Sequence, residues 1–198
     1  MRLDVAVVDT GIANQASIFA ALVRIGATPV MVTDPDALRR APRVVLPGVG
    51  AFAPGMAMLR RHGVDSALRE RMNNGGSILA ICLGMQLLAE SSDEAPGVAG
   101  IGAIGGAVRR LPPQTRVPQI GWNQVVPAQP GLVKAGCAFF ANSYVLDDVD
   151  PSWQPAFAEH GRRFVAAAQR GAQLACQFHP ELSGRWGQQL LADWCAAC

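Results

Sequence analysis

No apolar run in this 198-residue chain approaches the roughly 18 to 20 residues needed to cross a bilayer. No charged leader opens it either, because Met1-Arg2-Leu3-Asp4-Val5 reads as the start of a strand. The protein is therefore expected to be cytoplasmic, with no membrane partner. A stripe of positive charge is also missing: the formal net charge is +2, and the arginines occur as isolated pairs, Arg39-Arg40, Arg60-Arg61, Arg109-Arg110 and Arg162-Arg163. Nucleic acid, which is gripped through its phosphates, has no footprint here. The five cysteines (Cys82, Cys137, Cys176, Cys195 and Cys198) are an odd number in a chain without a secretory leader, which argues against a disulfide framework. Cys195 and Cys198 have C-x-x-C spacing, but a structural zinc site takes four ligands and no second close Cys/His pair accompanies them. Neither a metal nor a cofactor is expected, and the pair reads as the frayed last turn of a helix.

Half of the residues are apolar, enough for a real core in one domain spanning 1–198, with no repeat or linker to divide it. Short apolar runs at Leu3 to Val8, Thr28 to Thr33, Arg43 to Leu46 and Ser77 to Ile81 alternate with helical patterns at Asn14 to Ile25, from Asp34-Pro35, and from about Ala53 to Met72, the last interrupted near Gly63. That alternation predicts a parallel sheet. From Glu94 to about Val126, glycine and proline break the chain into short pieces that suit antiparallel additions. Further strands are expected at Cys137 to Ala141, Pro155 to His160, Phe164 to Ala168 and Leu174 to Phe178, and a last helix at Arg185 to Cys195. The fold class is α/β, a three-layer αβα arrangement with a mostly parallel central sheet.

Cys82 stands where the fourth apolar run meets a helical pattern over 84–90. A nucleophile on a sharp strand-to-helix turn needs small residues two positions away on either side, and Ala80 and Gly84 supply them. The helix N-terminus ahead of the thiol favours a thiolate. The turn is expected to leave the N–H of Leu83 free for an oxyanion, with a second donor from Pro47-Gly48-Val49-Gly50-Ala51-Phe52, whose glycines allow a peptide to reverse. A peptide in Gly48-Val49-Gly50 that must turn its N–H inward would make a switch.

A thiol attacking an amide needs a base that later protonates the leaving amine. Of the three histidines, His62 and His160 sit at an expected helix end and hairpin turn. His179 lies in Gln177-Phe178-His179-Pro180-Glu181, after an apolar strand and two residues before a carboxylate. Extended geometry would put residues 179 and 181 on one side, and Pro180 biases His179 toward it. Glu181 then orients the imidazole of a Cys82–His179–Glu181 triad. Cys137 and Cys176, within apolar runs, are expected to pack in the core.

The segments PGVGAF, ICLGMQ and QFHPE, in this order and spacing, resemble the class I, triad-type glutamine amidotransferases. Pro118-Gln119-Ile120-Gly121-Trp122-Asn123 resembles the PHMGWN-type segment of the glutaminase subunits of imidazole glycerol phosphate synthases. The resemblance implies that L-glutamine is hydrolysed through a Cys82 thioester. It implies an oxyanion hole at Val49, Gly50 and Leu83, and substrate contacts at Gln86, Glu94, Asn142, Ser143 and Tyr144. It also implies a heterodimer in which ammonia passes to a (β/α)8-barrel cyclase subunit, for histidine biosynthesis, with Asn14, Trp122, Asn123 and Leu182 in segments that face the barrel.

The chain departs from the family pattern in those segments. The family's Asp-Tyr-Gly-Met-Gly-Asn-Leu reads Asp9 to Gln15 with several changes, His-Ser-Tyr reads Asn142-Ser143-Tyr144, and the lysine after His-Pro-Glu is Leu182. Two other readings stay open at this stage: a paralogous glutaminase supplying another acceptor, such as an activated sugar, and a noncatalytic module that keeps the fold as a scaffold.

Overall fold

A computed structural model describes residues 3–10 and 15–198. The elements run β1 (Leu3–Val8), α1 (Gln15–Arg24), β2 (Ala27–Val32), α2 (Pro35–Arg40), β3 (Arg43–Leu46), α3 (Phe52–Arg61), α4 (Val64–Asn73), β4 (Ser77–Ile81) and α5 (Leu83–Leu87). After them come β5 (Ser91–Ser92), β6 (Ala107–Arg110), β7 (Gln119–Pro127), β8 (Gly136–Asn142), β9 (Tyr144–Leu146), β10 (Gln154–Glu159), β11 (Arg163–Arg170), β12 (Gln173–Cys176) and α6 (Gly184–Ala196).

The strand order is β2-β1-β3-β4-β12-β11-β10-β7-β8, with β9 on β11 and β6, and β5 on β6. The five strands from β2 to β12 are parallel, while β11, β10, β7 and β8 continue the sheet antiparallel. Every residue of β3, β4 and β12 is buried, as strands covered on both faces must be. Side chains alternate between two cores: Val5, Val7, Leu79 and Ile81 meet α1 and α6, whereas Ala6, Val8, Ile78 and Ala80 meet α2, α3, α4 and α5. The sheet therefore lies between two helical layers, as expected.

Three local expectations are corrected. The helix after Cys82 ends at Leu87, because the carbonyls of Leu87, Leu88 and Ala89 accept bonds from Ile101, Ala103 and Gly102 of the returning loop. β9 was not anticipated; three residues set off from β8 by Ser143 alone are too few to show a period. β12 stops at Cys176, and the chain then crosses toward β8, where the His179 N–H donates to the Phe139 carbonyl at 2.9 Å.

One consequence sets up the site. β12 lies beside β4 with Cys176 opposite Ile81, so the residues leaving both strands emerge together at the carboxyl ends of the parallel strands, the usual place for a ligand in an open α/β sheet. The Cys82 N–H donates to the Cys176 carbonyl at 2.7 Å and ties the two exits together.

Candidate active site

Cys82 has φ 54° and ψ −112° and is the one non-glycine residue at positive φ among those described. Such strain persists only where the surroundings enforce it. Gly84 enforces it from one side: a Cβ there would collide with the Leu46 carbonyl of β3, and one on Gly48 would lie 2.7 Å from the Gly84 nitrogen. The turn thus depends on two backbones touching, with Ala80 fully buried beneath it.

The thiol borders a cavity of about 370 Å³ that Val49, Gly50, Leu83, Gln86, Glu94, Asn142, Ser143, Tyr144 and His179 also line, within the range of small-molecule sites. The structure thus gathers, around Cys82, every residue that sequence comparison proposed for catalysis or substrate, apart from Glu181 just behind His179. The expectation of a free Leu83 N–H is corrected: it donates to the Gly48 carbonyl at 3.3 Å. In this conformation the would-be oxyanion donor is occupied by the oxygen of the loop meant to complete the hole, with Gly50 at φ 98°.

His179 Nδ1 lies 2.8 Å from Glu181 Oε1, and both side chains are almost fully buried. The reason Glu181 reaches the ring differs from the one expected. His179 is extended, but Pro180–Leu182 forms a tight 3-10 turn, so the carboxylate swings back by a turn rather than by strand alternation. Gly187 of α6 packs against the Pro180 carbonyl behind that turn. Burial works against charge on His179, but the neighbouring Cys82 sulfur and the hydrogen-bonded Glu181 carboxylate outweigh it and push the imidazole up to about 10. The ring is accordingly a proton donor at neutral pH.

That shift makes a stability prediction. A group whose folded pKa lies above its unfolded value of 6.5 adds stability that is complete below pH 6.5 and lost as pH rises through about 10. The melting temperature is expected to fall over that window, and to fall less in Glu181→Gln, which weakens the imidazolium's partner. Equal slopes for the two proteins in a thermal-melt series would overturn this assignment.

The remaining contacts refine the expected roles. Glu94 lines the cavity, but its Oε2 accepts from the Phe52 N–H at 2.8 Å, holding the start of α3, where Ala51 offers no side-chain cap. The Tyr144 carbonyl is engaged by Gln86 Nε2 and by Asn142 Nδ2, each at 3.1 Å. Cys176 is buried as expected, and burial, with the charges of Glu181 and Cys82, pushes its thiol well up and keeps it inert. Cys137 is corrected: it is exposed on the terminal strand β8, with its sulfur 3.0 Å from Gln124 Nε2. Cys195 is core, not a frayed end, and burial pushes it up to about 11. Among the described residues no group of side chains could hold a metal ion, and no helix is long and apolar enough to cross a membrane.

Of the residues expected to face a barrel, Asn14 lies outside the described residues. Trp122 and Leu182 are exposed, and with Ile120 and Val126 they account for four of the six exposed large apolar side chains of the described residues. Asn123 instead bonds the Glu159 carbonyl through Nδ2 at 2.8 Å. Sequence reasoning missed Gln177, quoted only as part of a motif; it is fully buried and its Nε2 lies 3.6 Å from the Cys82 sulfur.

A strained cysteine beside a buried His–Glu pair, at the carboxyl edge of this sheet, is the arrangement of a thiol-dependent amidase. The model of the class-I glutamine amidotransferases matches residues 6–198, and the chain belongs to that family. Its curated relatives include the imidazole glycerol phosphate synthase subunits HisH of Symbiobacterium thermophilum, 41% identical over 96% of this chain and 92% of the relative, and of Herpetosiphon aurantiacus, 42% identical over 96% and 92%. Within the family this is a HisH-type chain. Solved structures agree on the fold: a glutamine amidotransferase crystal structure superposes with TM-score 0.77 at 20% identity, covering 97% of this chain and 98% of that one. PurLQS from Thermotoga maritima gives 0.71 at 16% identity, with 98% and 97% covered.

Proposed function

We infer that this HisH-type chain is the glutaminase subunit of an imidazole glycerol phosphate synthase, acting in the cytoplasm and supplying ammonia to a (β/α)8-barrel cyclase subunit in a heterodimer. The observation that carries the chemistry is the buried His179–Glu181 pair, which charges the imidazole, at the cavity that Cys82 opens into. The Cys82 thiolate attacks the side-chain amide carbon of glutamine. His179 gives its proton to the departing nitrogen, which leaves as ammonia, and a thioester remains. A water then loses a proton to His179 and attacks the thioester; glutamate departs, and the Cys82 thiolate and charged imidazole are restored.

The tetrahedral intermediate needs N–H donors for its oxyanion. Release of the Leu83 N–H from the Gly48 carbonyl, with reversal of a peptide in Gly48-Val49-Gly50, would supply two donors at once. A partner that binds the reversed form more tightly shifts the population toward it. Exposed Trp122, Ile120 and Leu182 favour a protein partner, although Leu182 cannot make the ion pair of the family's lysine.

The test is glutamate release by the purified chain, alone and with the same organism's cyclase subunit carrying its nucleotide ligand. Stimulation of at least about 100-fold is expected, the size of one gained oxyanion donor. No stimulation, with Cys82 still alkylated by a glutamine analogue, would keep the glutaminase and reject this partner.

A further inference from the structure

The Cys82 pocket has a polar floor that the mechanism above does not use. Gln86 Nε2 donates to the Tyr144 carbonyl at 3.1 Å and to Gln177 Oε1 at 2.9 Å, and Gln177 Nε2 points at the Cys82 sulfur at 3.6 Å. Gln86 is 5% exposed and Gln177 is fully buried. The direction of this chain is fixed at one end. A backbone carbonyl can only accept, so the Gln86 amide must turn its nitrogen toward Tyr144. The neighbouring Gln177 atom must then be the oxygen, which leaves the Gln177 nitrogen for the sulfur. Any other assignment of the two amides sets two acceptors or two donors against each other.

Two consequences follow. Both amide hydrogens of Gln86 are committed away from the cavity, so the polar atom Gln86 offers the cavity it lines is Oε1, an acceptor suited to an ammonium group. The sulfur, strained onto the helix N-terminus by its backbone, also receives a side-chain N–H, which favours the anion in a buried place.

We propose that Gln177 is a positioning residue: through its carboxamide oxygen it holds Gln86 with Oε1 toward the α-ammonium of the substrate, and through its carboxamide nitrogen it steadies the Cys82 thiolate. This rests on the glutaminase reading. It also accounts for why an amide is used there: a carboxylate would lack the donor, and an apolar side chain would lack both functions and leave Gln86 free to rotate.

The two outputs separate in two variants. Gln177→Met removes donor and acceptor at similar length, whereas Gln177→Glu keeps the acceptor for Gln86 and loses the amide donor to sulfur. Alkylation of Cys82 by 6-diazo-5-oxo-L-norleucine, followed by intact mass, gives a half-saturating concentration and a limiting rate; iodoacetamide gives a rate that needs no contact with Gln86. Gln177→Met is expected to raise the half-saturating concentration and to lower the limiting rate, each by about tenfold, the scale of one hydrogen bond to a charged group. Gln177→Glu is expected to keep half-saturation within about twofold while losing rate toward both reagents by about the same tenfold. Adding Gln86→Met to Gln177→Met should raise half-saturation no further, because the two side chains act as one unit.

Unchanged half-saturation and rate in Gln177→Met would overturn the proposal. So would a rise in half-saturation in Gln177→Glu as large as in Gln177→Met, since the acceptor would then be irrelevant to Gln86. If Gln177→Met does not melt cooperatively, Gln177→Glu is read against wild type: half-saturation raised by about tenfold, or a labelling rate left within about twofold, overturns the proposal. Wild-type chain that shows no saturable labelling of Cys82 by the glutamine analogue would reject the glutaminase reading itself, whereas wild-type labelling with insensitive variants rejects only the role of Gln177.

Discussion

Cys82→Ala is expected to lower partner-stimulated glutamate formation by about 10⁴-fold or more, and His179→Asn by a similar factor, with the double variant scarcely worse than either. The near-equality follows from the geometry. The charged imidazole is favoured by the neighbouring Cys82 sulfur and the hydrogen-bonded Glu181 carboxylate, so removing one member leaves the other without its task. Glutamine binding should survive Cys82→Ala, because the other groups lining the cavity, Gln86 and Glu94 among them, remain. Calorimetric titration with glutamine beside the kinetic assay separates the two effects. Activity within tenfold of wild type would move the nucleophile elsewhere, and the inert, fully buried Cys176 is no substitute.

The second large effect involves no reacting group. Gly84→Ala places a methyl group against the Leu46 carbonyl, a backbone atom that cannot rotate away. The β3 and β4 strands are paired, with Leu46 opposite Ala80, so relief requires the whole turn to lift off the sheet. Overpacking of this kind costs about 1–3 kcal/mol or more, which for a chain of this size is a fall of roughly 2–12 °C in melting temperature. The lifted turn would also relax φ at Cys82 and lower its rate of alkylation. An unaltered melt with unaltered alkylation would mean that the elbow has room the structure does not show.

Much of this was legible in the sequence because periodicity reports burial. The runs at Leu3 to Val8, Arg43 to Leu46 and Ser77 to Ile81 coincide with β1, β3 and β4, since strands buried on both faces over most of their length keep polar residues to their first positions. That Cys82, His179 and Glu181 would come together was legible because each chemistry has few carriers, with three histidines in all. What stayed hidden depends on relations across the chain. The pairing of Leu83 with Gly48 and the outward turn of Cys137 are set by register and sheet order. Arg71 shows the same limit: it is buried with its guanidinium spread over the carbonyls of Leu38, Ala41, Pro42 and Ser77, an anchor no helical pattern announces. Gln177 was visible as a letter but not as a junction, because a glutamine's meaning lies in which end faces which neighbour.

The bond between the Leu83 amide and the Gly48 carbonyl bears on how the protein can be poisoned. Reagents that merely alkylate sulfur ask nothing of the oxyanion donors, so the uncoupled subunit is open to them. An aldehyde analogue of glutamine, by contrast, becomes a tight ligand only once its carbonyl oxygen turns to an alkoxide and finds amide hydrogens. Against the conformation described here it would meet a carbonyl oxygen instead and be repelled. If the partner reverses the loop as proposed, toxicity of the first kind is indifferent to assembly, whereas selectivity of the second kind comes from the complex, and an aldehyde inhibitor would seek out working pairs while sparing idle subunits.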